Sequence, residues 1–212
     1  MVNSKTASLP PGRSPPRRSI GARRNPASQE AILSAAADLI DELGPANFSL
    51  EAVAKRAHAG KPTIYRWWPS RVALLMDVYQ RWKLSIEFSL GTSVEDDLLL
   101  CFDQLLRFWR ETSAGATLSL IIAEAQSDED SRAVLNRFLD TQRHHFVELL
   151  DRAEERGEIK GSDERKALFE AASAFVMQRL LLGRLDTDRD SLQAMAALLA
   201  RGCQPETPRN AD

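Results

Sequence analysis

The sequence predicts an all-α protein, with a small N-terminal helix-turn-helix unit followed by a larger helical domain. Three observations carry that prediction. Apolar residues recur at three- and four-residue steps from Pro26 to about residue 201, the period of helices with one buried face. No alternating Val/Ile/Thr run bounded by turn residues interrupts them, so no sheet is expected. Two short helical segments joined by a three-residue turn lie behind a supporting helix, which is the spacing of a helix-turn-helix.

Residues 1–25 precede the first helix. They hold Pro10, Pro11, Pro15 and Pro16, a single Leu, Ile and Val, and no acid. Too little apolar surface is available to offset ordering, so a disordered arm is expected. Its charge comes from Lys5, Arg13, Arg17, Arg18, Arg23 and Arg24. Such an arm is either a solvated tail or a segment that lies along phosphates or enters a minor groove. Beside a DNA-binding motif the second reading is favoured, for Arg17, Arg18, Arg23 and Arg24 in particular.

The first helix starts at Pro26, with Ile32, Ala35, Ala36, Leu39, Ile40 and Leu43 along its inner face. Gly44-Pro45 stops it with a left-handed cap and a residue that cannot continue a helix. Ser49 caps the second helix, and Phe48 and Val53 are spaced as a hydrophobic staple. Leu50, Val53, Ala54 and Ala57 face inward until His58-Ala59-Gly60 ends the segment. A third helix runs over 61–68, with Gly60 at its cap and Pro62 in the first turn, where a missing N–H is harmless. Pro69 ends it. Ser70 caps a fourth helix carrying Val72, Leu75, Val78, Tyr79, Trp82 and Ile86 on one side. Further helices are expected near 94–112, 115–126, 129–156, 163–184 and 188–201, with Asp163 and Asp188 as N-terminal acids. The chain then divides into an arm (1–25), a helix-turn-helix domain (26–72), a helical domain (73–203) and a flexible tail (204–212).

Charge is distributed unevenly along this plan. The net formal charge is −2, which alone argues against a nucleic-acid partner. Residues 1–83, however, carry 13 Lys/Arg against 6 Asp/Glu, and residues 84–212 carry 15 against 24. A basic unit joined to an acidic one points to a polyanion-binding module attached to something else. Two cysteines, Cys101 and Cys203, make no disulfide framework and have no metal-ligand spacing, so a reducing, cytoplasmic setting is expected. No apolar run approaches the length of a membrane span, and no apolar block follows the N-terminal arginines as in a signal peptide.

The stretch 48–75 reads FSLEAVAKRAHAGKPTIYRWWPSRVALL. It resembles the DNA-binding signature of the TetR/AcrR family: a Ser/Thr opening the second helix, an Ala-x-x-Ala-Gly turn, and a recognition helix of the pattern Ser-x-x-x-x-Tyr-x-x-Phe. A basic residue then opens the next helix. Ser49, Ala54, Ala57, Lys61, Thr63, Ile64, Tyr65, Trp68 and Arg71 match, and helix periods and caps agree with the motif. There are three departures. His58 stands at the turn glycine, so either it takes a left-handed conformation or the turn differs locally. Gly60 replaces a Ser cap and loses a hydroxyl. Trp67 replaces a common His or Tyr and offers only an N–H donor.

The third helix is expected to present Lys61, Thr63, Arg66 and Trp67 outward and to turn Ile64 and Trp68 inward. Lys61, Pro62 and Thr63, at its N-terminus, are the expected readers of base edges. The resemblance assigns Tyr65, Trp67 and Arg71 mainly to phosphates, and places Ser49 and Leu50 against the backbone. This follows the rule that phosphate contacts position and base contacts specify. The alternative for Lys61, Arg66 and Arg71 is a solvated helix surface.

Residues 94–201 resemble, more weakly, the ligand-binding and dimerisation domain of the same family, at Ile122-Ala123-Glu124-Ala125 and Arg179-Leu180-Leu181-Leu182-Gly183. The resemblance implies a homodimer through the last two helices, with Phe169, Ala172, Phe175, Val176, Leu180, Leu192, Met195, Leu198 and Leu199 in the seam. A symmetric pair sets two recognition helices about 34 Å apart on a palindromic double-stranded DNA operator. It also implies a small-molecule effector, with Phe102, Leu105, Phe108, Trp109, Leu118, Ile121, Ile122 and Phe146 as expected pocket walls. His144-His145 invites a metal. Adjacent helical residues point about 100° apart, so one histidine inward and one exposed is the expected arrangement, with no metal and no cofactor. An enzyme is the competing class. G-x-G-x-x-G, G-x-S-x-G, HExxH and CxxC are all absent and the chain has three histidines, a poor catalytic inventory. A helix-turn-helix that binds a protein partner is the third reading, opposed by the basic, acid-free arm.

Overall fold

The structure is a computed structural model that describes residues 25–84, 91–159 and 161–203, without the side chains at 143–145. The arginine arm, Ile86, the tail after Cys203 and the side chains of His144 and His145 therefore lie outside the described residues. Nine α-helices run through the described residues: α1 Pro26–Leu43, α2 Leu50–Arg56, α3 Lys61–Trp67, α4 Arg71–Lys83, α5 Val94–Glu111, α6 Ala114–Ala125, α7 Glu129–Glu155, α8 Gly161–Leu181 and α9 Arg189–Gly202. A single 3-10 turn, Pro45–Asn47, joins α1 to α2. None of the described residues forms a strand, and no described helix is long and apolar enough to cross a membrane.

The helix starts follow local chemistry. Asn25, Ser49, Ser70, Ser93, Asp128 and Asp188 each accept a hydrogen bond from a backbone N–H two or three residues on, satisfying donors that the first turn leaves unpaired. At the staple before α2, Phe48 and Val53 are both buried. Gly44 ends α1 at φ 75°, a conformation glycine adopts without strain.

The first three helices contribute to an apolar core that continues through the chain. Ile32, Ala36, Leu39 and Ile40 of α1, Val53 and Ala54 of α2, Ile64 of α3 and Trp68 just beyond it are all buried, with α2 packed on both α1 and α3. α4 carries this core into the second half. One buried side was expected for it, yet Leu74 and Met76 are buried as well as Val72, Leu75, Val78 and Tyr79. The reason is its position: α1 packs on it from the N-terminal unit, and α6 and α7 from the C-terminal one. A helix enclosed on several sides has no strictly polar face.

Behind α4, α5 packs against α8 and α9, and α6 against α7. Tyr79 ties the layers together. Trp109 Nε1 on α5 donates to its hydroxyl at 2.9 Å, and Phe138 on α7 meets its ring edge-on at 5.4 Å. Of the residues expected in a pairing seam, Ala172, Phe175, Val176, Leu180 and Leu192 are buried inside this one chain. Phe175, for instance, stacks at 5.0 Å on Phe102 of α5. Leu198, also expected there, is exposed, Phe169, Met195 and Leu199 are half-buried, and Leu181 and Leu182 are exposed beside them.

Candidate nucleic-acid interface

The helix-turn-helix is built by one strained residue and two caps. Ser49 Oγ accepts from Ala52 N–H at 3.1 Å and starts α2. After Arg56 the chain closes through Ala59 N–H to Ala54 C=O at 3.0 Å and His58 N–H to Lys55 C=O at 3.4 Å, the paired bonds of a Schellman cap. That cap needs a left-handed residue, and His58 supplies it at φ 49°. Of the two alternatives open at His58, the left-handed one is therefore realised. Gly60 caps α3 with no side-chain hydrogen bond, and Pro62 sits in its first turn.

With about 100° per residue, seven residues of α3 separate its faces cleanly. Ile64 is fully buried beneath it, as is Trp68 at its end, and Trp68 Nε1 donates to Asp77 of α4 at 2.7 Å. Lys61, Pro62, Tyr65 and Arg66 are exposed together on the opposite side. Thr63 and Trp67, expected to point outward, are half-buried on the flank. Trp67 meets Trp68 edge-on at 5.8 Å and lines a groove of about 490 Å³ between α4 and α7. Leu50 is 7% exposed and Ser49 half-buried.

Two acids not expected at this interface pair with its residues. Tyr65 Oη donates to Glu51 Oε1 on α2 at 2.6 Å. The tyrosine hydroxyl, aided by a backbone N–H, holds the Glu51 carboxyl below its usual range, with Lys61 adding charge attraction. The same bond pushes the Tyr65 hydroxyl up. The second acid is Glu124 near the end of α6, which is ion-paired with Arg71. Arg71 also donates from Nη1 to the carbonyls of Ala46 and Phe48, at 3.3 Å each. Arg71, expected beside a phosphate, makes three hydrogen bonds to protein in this arrangement. It is the first residue of α4, and its side chain is 31% exposed. Neither pairing has a sequence signal, because the partners are 14 and 53 residues apart.

The residues expected to wall an effector pocket occupy the interior of the second half. Phe102, Leu105, Trp109, Leu118 and Ile121 are buried, and Phe108, Ile122 and Phe146 half-buried. Phe108 also lines a broad surface depression of about 630 Å³ with Asp41, Trp82 and Arg110.

Comparison with known proteins agrees with this arrangement. Residues 32–78 match the family model of bacterial regulatory proteins of the tetR family, and residues 91–199 match that of the tetracyclin repressor-like C-terminal domain. An uncharacterized HTH-type transcriptional regulator of Bacillus subtilis, YdeS, is 28% identical over 76% of this chain and 82% of its own length. The DNA-binding transcriptional repressor TetR of Mycobacteroides abscessus is 29% identical over 72% of this chain and 82% of its own length. Among solved structures, the TetR family transcription regulator SCO0332 superposes with a TM-score of 0.71 at 26% identity, covering 84% of this chain and 99% of that one. A tetR-type N-terminal unit and a repressor-like C-terminal domain that spans half of the chain place it plainly: the chain belongs to the TetR family of DNA-binding transcriptional regulators.

Proposed function

We propose that this regulator is a repressor that holds a palindromic operator as a homodimer and releases it when a small molecule binds the C-terminal domain. The observation that carries the reading is the single outward face of α3, where Lys61, Pro62, Tyr65 and Arg66 stand exposed over buried Ile64 and Trp68. Lys61 and Pro62, with Thr63 beside them, read base edges. Tyr65, Arg66, Trp67 and the backbone at Ser49 and Leu50 take phosphates. Arg17, Arg18, Arg23 and Arg24 extend the contact along the duplex. Arg71 acts from behind, clamping the head to α6 through Glu124.

The division of labour runs between 26–72, which meets DNA, and 73–203, which senses and pairs. Pairing uses the outer surface of α8 and α9, where Leu181 and Leu198 are exposed and Met195 and Leu199 half-exposed. The effector enters among α5, α6 and α7 by way of the half-buried Phe108, Ile122 and Phe146. It shifts the heads only if it binds the released state more tightly than the DNA-bound one. Repression is supported by the printed name of the Mycobacteroides abscessus relative.

Electrophoretic mobility shift with DNA from upstream of its own gene, at moderate salt, tests the reading. A retarded band of dimer stoichiometry is expected, with specificity relaxed by Lys61→Ala. Equal affinity for operator and unrelated DNA would sink it.

A further inference from the structure

The depression beside Phe108 joins the end of α1 to the ends of α4 and α5, and the DNA-reading face of α3 takes no part in it. It has a volume of about 630 Å³ and is lined by the half-buried rings of Trp82 and Phe108. Asp41 of α1 and Glu111 of α5 line it too and are exposed, with Ser113 Oγ donating to Asp41 at 2.6 Å. The cation of the lining, Arg110, is paired with Glu111 at 3.1 Å and with Asp186 at 3.4 Å. Asp41, Glu111 and Asp186 thus set three negative charges in and beside the depression against the one positive charge of Arg110. A single face of α1 leads from here back to the start of that helix. Glu30, Ser34, Ala37 and Asp41 recur at steps of four, three and four residues, so they share it. Arg81 pairs with Glu30 at 2.8 Å and donates to Ser34 Oγ at 3.2 Å, so this face lies against the end of α4, where Trp82 follows.

We propose that this depression is the docking site of the chain's own N-terminal segment, residues 13–24, and that the segment sits there when no DNA is bound. Residues 1–24 lie outside the described residues and lead directly into α1. Their sequence suits the site: Pro15-Pro16 is followed by Arg17-Arg18, and the segment holds no acid. Its length suits the site as well. Asp41 lies about 22 Å along the axis of α1 from Pro26, and residues 17–24 in polyproline-type extension cover about 25 Å. Running back along α1, the segment brings Arg17 and Arg18 to Asp41 and Glu111, and Pro15 and Pro16 to Trp82 and Phe108. Proline pairs bind in aromatic-lined grooves because their extended form is already set and little freedom is lost on docking. Arginines beside carboxylates fix the direction. The same arginines are assigned to the duplex, so DNA and the depression compete for them. That competition rests on the DNA reading of the arm, whereas the docking does not.

The test is photo-crosslinking in the full-length protein, with Ser14 replaced by p-benzoylphenylalanine next to Pro15. The protein is assembled from isotopically light and heavy chains, and the crosslinks are mapped by mass spectrometry. They should fall within one chain, on the peptides carrying Trp82 or residues 108–113. Asp41→Asn with Glu111→Gln should lower their yield about fivefold, the scale of two exposed ion pairs, and high salt should lower it too. Arg17→Gln with Arg18→Gln, outside every described helix, should give the same loss, so the outcome does not hang on the folding of the first pair of variants. Crosslinks between a light and a heavy chain would give the depression to a second copy and overturn the proposal. Crosslinks elsewhere on the same chain, or a yield unchanged in both double variants, would overturn it as well. Duplex DNA is then added. A fall in yield upholds both the docking and the competition, while an unchanged yield upholds the docking and removes the arm's contact with the duplex. DNA binding with no crosslink at the depression overturns the docking and leaves the DNA-binding reading intact.

Discussion

Arg71 on α4 and Glu124 on α6 form an ion pair across the junction of the DNA-reading head and the C-terminal domain. Their side chains are each 31% exposed, so the pair is screened only in part, and Arg71 is fixed from a second direction by the carbonyls of Ala46 and Phe48. A guanidinium held this way is a structural clamp. Arg71→Ala should lower thermal stability and operator affinity while leaving the slope of log K against log salt unchanged. A direct phosphate contact would reduce that slope by about 0.9. A double-mutant cycle with Glu124→Gln should return a coupling of about 0.5–1 kcal/mol.

The buried Trp109–Tyr79 hydrogen bond makes a second prediction. Tyr79→Phe removes the hydroxyl that accepts from Trp109 Nε1 at 2.9 Å and leaves a buried N–H without its partner. A loss of about 1–3 kcal/mol is expected, read as a lower urea midpoint with an unchanged m-value. Desolvation already pushes the Tyr79 hydroxyl well above the ordinary phenol range, so no alkaline titration of this ring should be seen before unfolding.

Periodicity and capping residues made the helices legible in the sequence. Ser49, Ser70 and Asp188 each cap where the chemistry of the side chain placed them, and the burial of Ile64 and Trp68 follows from spacing on a short helix. What the sequence hid are relationships set by tertiary packing. The Glu51–Tyr65 and Arg71–Glu124 pairs join different helices, and no local pattern encodes them. Part of the expected seam is core for a related reason: an apolar stripe at Phe175 and Val176 has the same period whether it faces α5 or a second copy of the chain.

His58 carries the backbone strain of the helix-turn-helix turn. A left-handed non-glycine residue costs about 1–2 kcal/mol, offset in part by the greater unfolded-state freedom of glycine. His58→Gly should therefore stabilise the protein by up to ~1 kcal/mol, seen as a raised melting temperature. Operator affinity should be unchanged, because the Schellman bonds at Lys55 and Ala54 persist. A lower melting temperature would show that the imidazole makes up the strain through contacts of its own.

Two helix-capping carboxylates contribute to the acid limb of stability. Asp128 is held below the usual range first by the Ser131 hydroxyl bond and then by the Ser131 backbone N–H, and Asp188 first by the Ser191 N–H. A depressed folded-state pKa adds stability above the unfolded value, and that stability is lost as pH falls through the folded one. The loss should therefore appear below about pH 4. Asp128→Asn keeps an oxygen at the cap but has no proton to take up. Its melting temperature should fall less steeply between about pH 4 and pH 2 than that of wild type.

Glu51 gives the last prediction, since it places a negative charge on the surface proposed to meet phosphates. While Tyr65 donates to Glu51, its hydroxyl turns only lone pairs toward DNA, which repel a phosphate oxygen. To grip a phosphate, Tyr65 must release Glu51 and leave a bare carboxylate close to the duplex. Glu51→Gln keeps an acceptor for Tyr65 yet removes the charge. Affinity for operator and for random DNA should rise together by a few-fold at low salt, and the gain should shrink as salt is added, because screening weakens exposed charges. The ratio of specific to non-specific binding should hold, since Lys61, Pro62 and Thr63 are untouched. If affinity falls instead, the carboxylate serves to fix the recognition helix through Tyr65, and Glu51→Gln would then also broaden the amide exchange of α3.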